Sequence, residues 1–410
     1  MSDKTPDPMI EALAAMTRPS ISRRRMLRAA AAGGAVVAGG PLLAACGSKP
    51  AGNAGASPSN QSAPDKSDTD KFVNFSNWQL YMDVDAKNSS IHPTLSEFTA
   101  KTGVKVNYVE DVTDNAEFFA KVSPALRAGQ DTGRDLFALT DWMAARMIRL
   151  GYVQKLDKAN IPNVAANIQP TLASPTWDPD RSYSAPWQSG FTGIAYNAKL
   201  VPEVRTISEL LTRADLKGRV DCLTEMRDTI GLIMLDQGKD PTKFSDDDFN
   251  AAIDMLQKAV DSKQVRNFTG NEYSKPLSSG DIAACIAWSG DVVQLQADNP
   301  DIKFVAPEAG LMIWSDNMMI PNLANHKKNA ELVMNYYYDP EVAAKLTAYV
   351  QYVAPVKGTQ EAMTKVDKTL VNNNLIFPDA ATLARAHLFM GLDEKQEKTY
   401  QLAFDKVTGA

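Results

Sequence analysis

The sequence predicts an α/β fold of two lobes, each built on a mostly parallel sheet flanked by helices. Three observations carry that expectation. From Lys71 onward strand-like and helix-like segments alternate, an order that favours parallel strands joined by helical crossovers. The same order then recurs in a second region, without a recognisable sequence repeat. The chain has 410 residues, 44% hydrophobic and 22% charged, which is ordinary globular make-up with enough length for two domains.

The first residues stand outside that fold. "SRRRMLR" (22–28) precedes an uncharged apolar run from Ala29 to Ala45, closed by "LAAC" (43–46). Basic, then apolar, then small residues is the order of a secretory signal, and the run is short for a membrane span. The paired arginines resemble a twin-arginine export signal. Leu-Ala-Ala-Cys resembles a lipobox, which implies Cys46 as a lipid-carrying N-terminus once residues 1–46 are processed. Residues 47–70 are mostly Gly, Ser, Pro and Asn and are expected to form a flexible tether. Residues 1–45 hold six Lys/Arg and three Asp/Glu, so the remainder holds 37 basic and 46 acidic residues, net −9. That charge disfavours nucleic acid as a partner and suits a cationic ligand.

Taken in order, "KFVNFS" reads as a strand and "HPTLSEFTAKTG" as a helix closed by Gly103. "VKVNYVE" alternates with period 2 as a strand does. "DNAEFFAKVSPALRAG" is helical with Asp114 as its cap, "RDLFAL" is a short buried strand, and "DWMAARMIRLG" is a helix. In the second region "GRVDCLT", "DIAACIAW" and "DIKFVA" read as strands. "SDDDFNAAIDMLQKAVDS" is an amphipathic helix with Ser245 and Asp248 at its capping start. "DVVQLQADN" is helical. "GLMIWSDNMMIP" is a further strand, followed by helices in "HKKNAELVMNYYYD" and "PEVAAKLTAYV". Cys222 and Cys285 lie in apolar segments and could be free or bridged.

Catalytic signatures are missing. His92, His326 and His387 are not spaced for a metal, and there is no Gly-x-Ser-x-Gly elbow, phosphate loop or dinucleotide fingerprint. No enzyme activity, metal or cofactor is expected. What recurs instead is an aromatic or acidic residue where a strand ends: Trp78 and Tyr81, then Thr140, Asp141 and Trp142, then Trp187, then Trp288 and Asp291, then Trp314 and Asp316. Ligands of α/β sheets collect beyond the carboxyl ends of strands. Each tryptophan alone fits core packing, and Asp141 and Asp291 fit helix N-caps. Together the set fits a cation site. An indole face attracts an ammonium by roughly 0.5–2 kcal/mol, and a carboxylate beside it pairs the charge where water is excluded. Trp177 is left out of this set.

These residues resemble bacterial extracellular polyamine-binding proteins, the spermidine/putrescine receptors of ABC importers. The resemblance begins in "NWQLYM" and continues in order through "EFTAKTGVKVNY", "DLFALTDWMAARMIRLGYVQKLD", "YSAPWQSGFTGIAYN", "IAWSGD", "GLMIWSDNMMIPNLANHKKNAELVMNYYYDPEVAAKL" and "YVAPVKG". It implies a two-lobe periplasmic-binding-protein-like fold of type II with ligand in the interlobe cleft. Residues 71–187 plus 317–358 would form lobe 1, and 188–316 plus 359–410 lobe 2. It further implies ligand-lining roles for Trp78, Tyr81, Thr140, Trp142, Trp288, Trp314, Asp316 and Tyr352. In "TEMRD", Asp228 matches the family's second carboxylate, and Glu225 matches the first if a one-residue gap is allowed. Ser189 stands where spermidine receptors can show an aromatic, and "HLFMGL" lacks a Gln that can contact the ligand's far end. The resemblance therefore implies a monomeric, lipid-anchored receptor on the outer face of the cytoplasmic membrane, passing a polyamine to ABC permease subunits. Alternatives are a receptor for choline-like, betaine-like or opine solutes, or an amine sensor.

Overall fold

The computed structural model describes residues 61–409. The expected signal, Cys46 and residues 47–60 of the expected tether lie outside the described residues. Strands β1 (Phe72–Trp78), β2 (Lys105–Val112), β3 (Leu136–Thr140), β4 (Ala185–Asn197), β5 (Val220–Leu223), β6 (Val265–Thr269), β7 (Ala284–Trp288), β8 (Ile302–Val305), β9 (Leu311–Met319) and β10 (Ala386–His387) join in one sheet. The path is β2-β1-β3-β9-β4-β7-β5-β6, with β8 added to β4 and β10 to β9. Outer strands are parallel, β1 to β2 and β3, and β5 to β6 and β7. The two long strands between them, β4 and β9, run antiparallel to each other and to their other long-strand neighbours.

The two expected lobes appear as two buried cores that meet within β4 and β9. Ala185, Trp187 and Met318 belong to the first, with Phe75, Phe137 and the helices Lys327–Tyr337 and Pro340–Val350. Ile194 and Met312 belong to the second, with Cys222, Ile286 and the helices Met226–Asp236 and Asp246–Asp261. The side chains change cores partway along each strand, so one sheet serves both lobes. Strands buried on both sides lose the period-2 signal. Every residue of β4 is buried, so its 13 residues show no alternation.

Local signals in the sequence act as expected where the chain is exposed. Asp114 caps Asn115–Arg127 by accepting from Ala116 N at 2.7 Å and Glu117 N at 3.0 Å. Ser245 and Asp248 form a full capping box. Gly103 ends its helix in the left-handed region at φ 73°. Cys222 and Cys285 are buried and unbridged.

Two boundaries differ from expectation. Residues 61–70 are docked rather than free: Lys66 N donates to Asn325 O at 2.7 Å, Leu323 N to Gln61 O at 3.0 Å, and Lys328 N to Asp65 Oδ2 at 3.0 Å. Their composition hides this because backbone and side-chain hydrogen bonds hold them, not apolar burial. Helix Thr359–Val366, expected with lobe 2, packs Ala362 and Met363 on Ala344 of helix Pro340–Val350 in lobe 1. Gly358, at φ 81°, turns the chain back onto that helix. Only later does the chain reach the second core, through helix Glu394–Thr408 and its Tyr400 and Phe404. Among the described residues, no helix is long and apolar enough to cross a membrane.

Candidate ligand-binding cleft

A cavity of about 700 Å³ lies where the two cores meet. Strand ends and helix starts supply its walls. Trp78 ends β1, Thr140 ends β3 and precedes helix Asp141–Arg149, and Trp288 ends β7 and precedes helix Ser289–Asp298. Glu225 precedes helix Met226–Asp236 after β5. Trp314 and Asp316 lie in β9. Tyr81 and Tyr352 come from turns that start with left-handed residues, Leu80 at φ 60° and Gln351 at φ 56°. All ten residues to which the resemblance gives ligand-lining roles border this cavity.

Asp316 is the centre of the first wall. It sits opposite Thr140 in the β3–β9 register, so the threonine hydroxyl donates to Oδ1 at 2.8 Å. The Tyr81 hydroxyl donates to Oδ2 at 2.9 Å. The carboxylate is 3% exposed and forms no ion pair with any described residue. Burial pushes its pKa up to about 7 against the pull of these hydroxyls, and repulsion from Asp141 and Asp228 adds to the rise.

The second wall carries Glu225, Arg227 and Asp228. The Trp288 indole N–H donates to Asp228 Oδ2 at 2.8 Å, and burial raises Asp228 to about 6. Asn115 Nδ2 donates to Glu225 Oε2 at 3.2 Å. Burial raises Glu225 to about 8, with Arg227 opposing and Asp114 and Asp228 adding to it. The Arg227 guanidinium lies 3.8 Å from the Trp142 ring centre. Glu397 of the C-terminal helix then joins arginines from both sides, Arg227 at 3.4 Å and Arg149 at 3.2 Å.

The aromatics form a connected chain. Trp78 meets Trp288 at 6.4 Å, Trp288 meets Trp314 at 6.4 Å, Trp314 meets Tyr352 at 5.5 Å, and Tyr352 meets Tyr81 at 5.1 Å. These are tilted or edge-on contacts within the range favoured by ring quadrupoles. Two glycines make room for them. A Cβ on Gly290 would lie 2.3 Å from the Tyr352 ring, and one on Gly190 2.6 Å from Trp314.

Four expectations need correction. Trp187 is core, edge-on to Phe75 at 5.7 Å and Tyr337 at 4.9 Å, and away from the cavity lining. Trp177, left out of the sequence set, does line the cavity, with Arg181 5.1 Å from its ring centre. Asp141 is not the N-cap of its helix. Thr140 holds that position, and Asp141 accepts from Asn317 Nδ2 at 2.7 Å. Asp291 is likewise inside the first turn of its helix, where Tyr352, Asn271 and Tyr273 donate to it at 2.6, 2.7 and 2.8 Å. Asp291 is buried and Asp141 half-buried, and each takes side-chain hydrogen bonds from residues distant in the chain. Arg227 was visible inside "TEMRD", flanked by two acidic residues, and that flanking was the signal for a paired cation.

Among the described residues no group of three His, Cys, Asp or Glu could hold a metal. The wall can therefore do two things for a ligand: cover carbon and neutralise positive charge.

Residues 94–373 match the family described as bacterial extracellular solute-binding protein. A putrescine-binding periplasmic protein of Escherichia coli is 29% identical over 82% of this chain and 91% of its own length. A spermidine/putrescine-binding periplasmic protein of Salmonella typhimurium is 26% identical over 81% of this chain and 90% of its own. A solved structure described as a putative spermidine/putrescine ABC transporter from Listeria monocytogenes superposes with TM-score 0.71 at 23% identity, covering 82% of this chain and 98% of that one.

Proposed function

Because the chain belongs to the bacterial extracellular solute-binding protein family, whose members bind solutes for transport rather than catalyse reactions, we propose that its cleft captures a polyamine such as putrescine or spermidine for an ABC importer. One observation carries this reading. Asp316 is a buried carboxylate at the wall of an aromatic cavity, and among the described residues its hydrogen bonds come only from neutral hydroxyls and no cation pairs with it. A carboxylate oxygen pair has about four acceptor positions, of which two are used here. An ammonium fits both the charge and the remaining acceptors. Trp314, Trp288 and Trp78 would cover the methylene chain, and Asp228 with Glu225 would receive a second ammonium. The names of the Escherichia coli and Salmonella relatives support the same ligand class.

The lipoprotein signal ending at Cys46 fits this role: a lipid-held receptor stays beside its permease outside the cytoplasmic membrane. A thermal-shift panel tests the ligand. Binding to the folded state raises the melting temperature by mass action. Putrescine or spermidine should raise it by several degrees. A shift with betaine and none with either polyamine would replace the assignment.

A further inference from the structure

We infer that the amine this cleft receives carries an apolar substituent on one of its nitrogens. The inference rests on the amine reading of the same cleft and extends it to the class of amine.

The cavity holds about 700 Å³, within the range in which pockets enclose molecules of drug size. A linear diamine of about six heavy atoms, each methylene close to the size of a water molecule's share of liquid volume of about 30 Å³, fills only part of it. Along β9 the lining passes from Asp316 to an apolar stretch. β10 pairs with β9 at Leu311 and Met312, and β3 pairs with the same edge only from Asp316 onward. Between them Ile313 lines the cavity without a strand partner on that edge. The chain leaving β10 adds Leu388, Phe389 and Met390 to the lining, and the loop before β4 adds Leu172 and Trp177. Leu388 is 55% exposed; Phe389 and Met390 are half-buried, Phe389 packing edge-on against Phe244 of the second core at 5.1 Å, so this apolar wall is covered only in part. Apolar side chains grouped at the edge of a cavity mark a binding surface rather than a core.

Fixed positive charge also lines the cavity. Glu397 is shared by Arg149 at 3.2 Å and Arg227 at 3.4 Å. The Arg181 guanidinium is held by Leu172 O at 2.5 Å, Ser184 Oγ at 2.9 Å and Asn317 Oδ1 at 2.7 Å. Asp141 is bonded to the same Asn317 and lies in the field of Arg181. A further ammonium would meet three guanidiniums, Arg149, Arg181 and Arg227, against the two carboxylates Glu397 and Asp141, whereas a hydrocarbon group would cover Leu388 and Phe389. The acidic wall at Asp316 and Asp228 keeps the amine, and the apolar wall takes its substituent.

The test is isothermal titration of the full chain with putrescine and with N-benzylputrescine, repeated on the Leu388→Ser/Phe389→Ser double variant. Burial of a benzyl group predicts at least about tenfold tighter binding of N-benzylputrescine to the wild type. The double variant should bring the ratio of the two affinities to within about twofold. Putrescine binding as tightly as N-benzylputrescine to the wild type would overturn the inference and leave the amine reading standing. A tenfold preference that persists in the double variant would also overturn it, because the wall named here would not be its source. Failure of both amines to bind would overturn the amine reading itself.

Discussion

Asp316 and Asp291 are both buried aspartates held by tyrosine hydroxyls, yet they do different work. Asp291 takes three donors, from Asn271, Tyr273 and Tyr352, and stays outside the cavity lining. Asp316 takes two, from Tyr81 and Thr140, and borders the cavity. At Asp291 the protein uses three of the carboxylate's about four acceptor positions, and the product is a fixed position for Tyr352. At Asp316 the protein leaves part of that capacity to whatever enters. On the proposed reading, a structural and a binding carboxylate would differ in the acceptor positions left open to the cavity, not in burial or residue type.

The strongest way to break this comparison is to neutralise each in turn. Asp316→Asn should weaken putrescine binding by at least about 100-fold while the ligand-free melting temperature holds or rises, since a buried charge is removed. Asp291→Ala should do the reverse to the fold, costing about 3 kcal/mol of stability because three donors lose their acceptor. Calorimetry and denaturant melts on both variants read the two effects. Equal loss of stability in both would erase the distinction.

Gly290→Ala asks whether Tyr352 is as fixed as the Asp291 anchor implies. The added Cβ would meet the ring at 2.3 Å, and overpacking of this kind costs about 2 kcal/mol. A chemical melt that moves by less than about 0.5 kcal/mol would mean that the ring yields and that the anchor is loose.

pH sharpens the comparison further. Asp316 is raised to about 7 and Asp228 to about 6 in the ligand-free protein. Acids raised on folding bind more protons in the folded state than in the unfolded chain. Their contribution to stability is thus greatest below pH 4 and is lost as pH rises through 6 and 7. Binding has the opposite sign, because an ammonium needs the ionised carboxylate. Putrescine affinity should rise about tenfold between pH 6 and pH 8, the change in ionised fraction for a group near 7. A flat profile over that interval would show Asp316 ionised throughout.

The smallest effect is expected at Glu397. It joins Arg149 of the first lobe to Arg227 of the second, so Glu397→Gln should loosen the contact across the cleft. The pair with Arg149, whose side chain is about half exposed, contributes at most about 1 kcal/mol, and Gln keeps an acceptor for the buried Arg227, so affinity should fall by about two- to fivefold, and small-angle scattering of the ligand-free protein should report a larger radius of gyration. An unchanged radius would place the coupling of the lobes elsewhere.

How much of this was legible in the sequence depended on how local the cause was. Caps and turns are encoded within four residues, so Asp114, Ser245 and Gly103 could be read directly. The strand-end aromatics were legible because sheet topology gathers strand ends at one edge. Helix Met226–Asp236 was not, since ten of its eleven residues are buried and it shows no polar face. Trp187 and Trp177 were exchanged for a related reason. "APWQSG" looks like a strand end, but β4 continues to Asn197 and takes Trp187 into the first core. Trp177 sits in a loop of Pro, Asp and Ser, and only the tertiary stack with Arg181 puts it at the cleft. The caps expected at Asp141 and Asp291 failed similarly: spacing marks a helix start but does not reveal a partner such as Asn317 or Tyr352 that comes from elsewhere in the chain.

The long strands β4 and β9 also limit how the molecule could be divided. β9 pairs with β3 of the first lobe, β4 pairs with β7 of the second, and the two long strands pair with each other. A fragment carrying only one core would end in two half-strands whose backbone donors and acceptors face water along a bare edge. Such edges recruit other chains. Either lobe made alone should be an aggregation-prone piece, and a two-part reporter built from this protein should be split in a surface loop, never between the lobes.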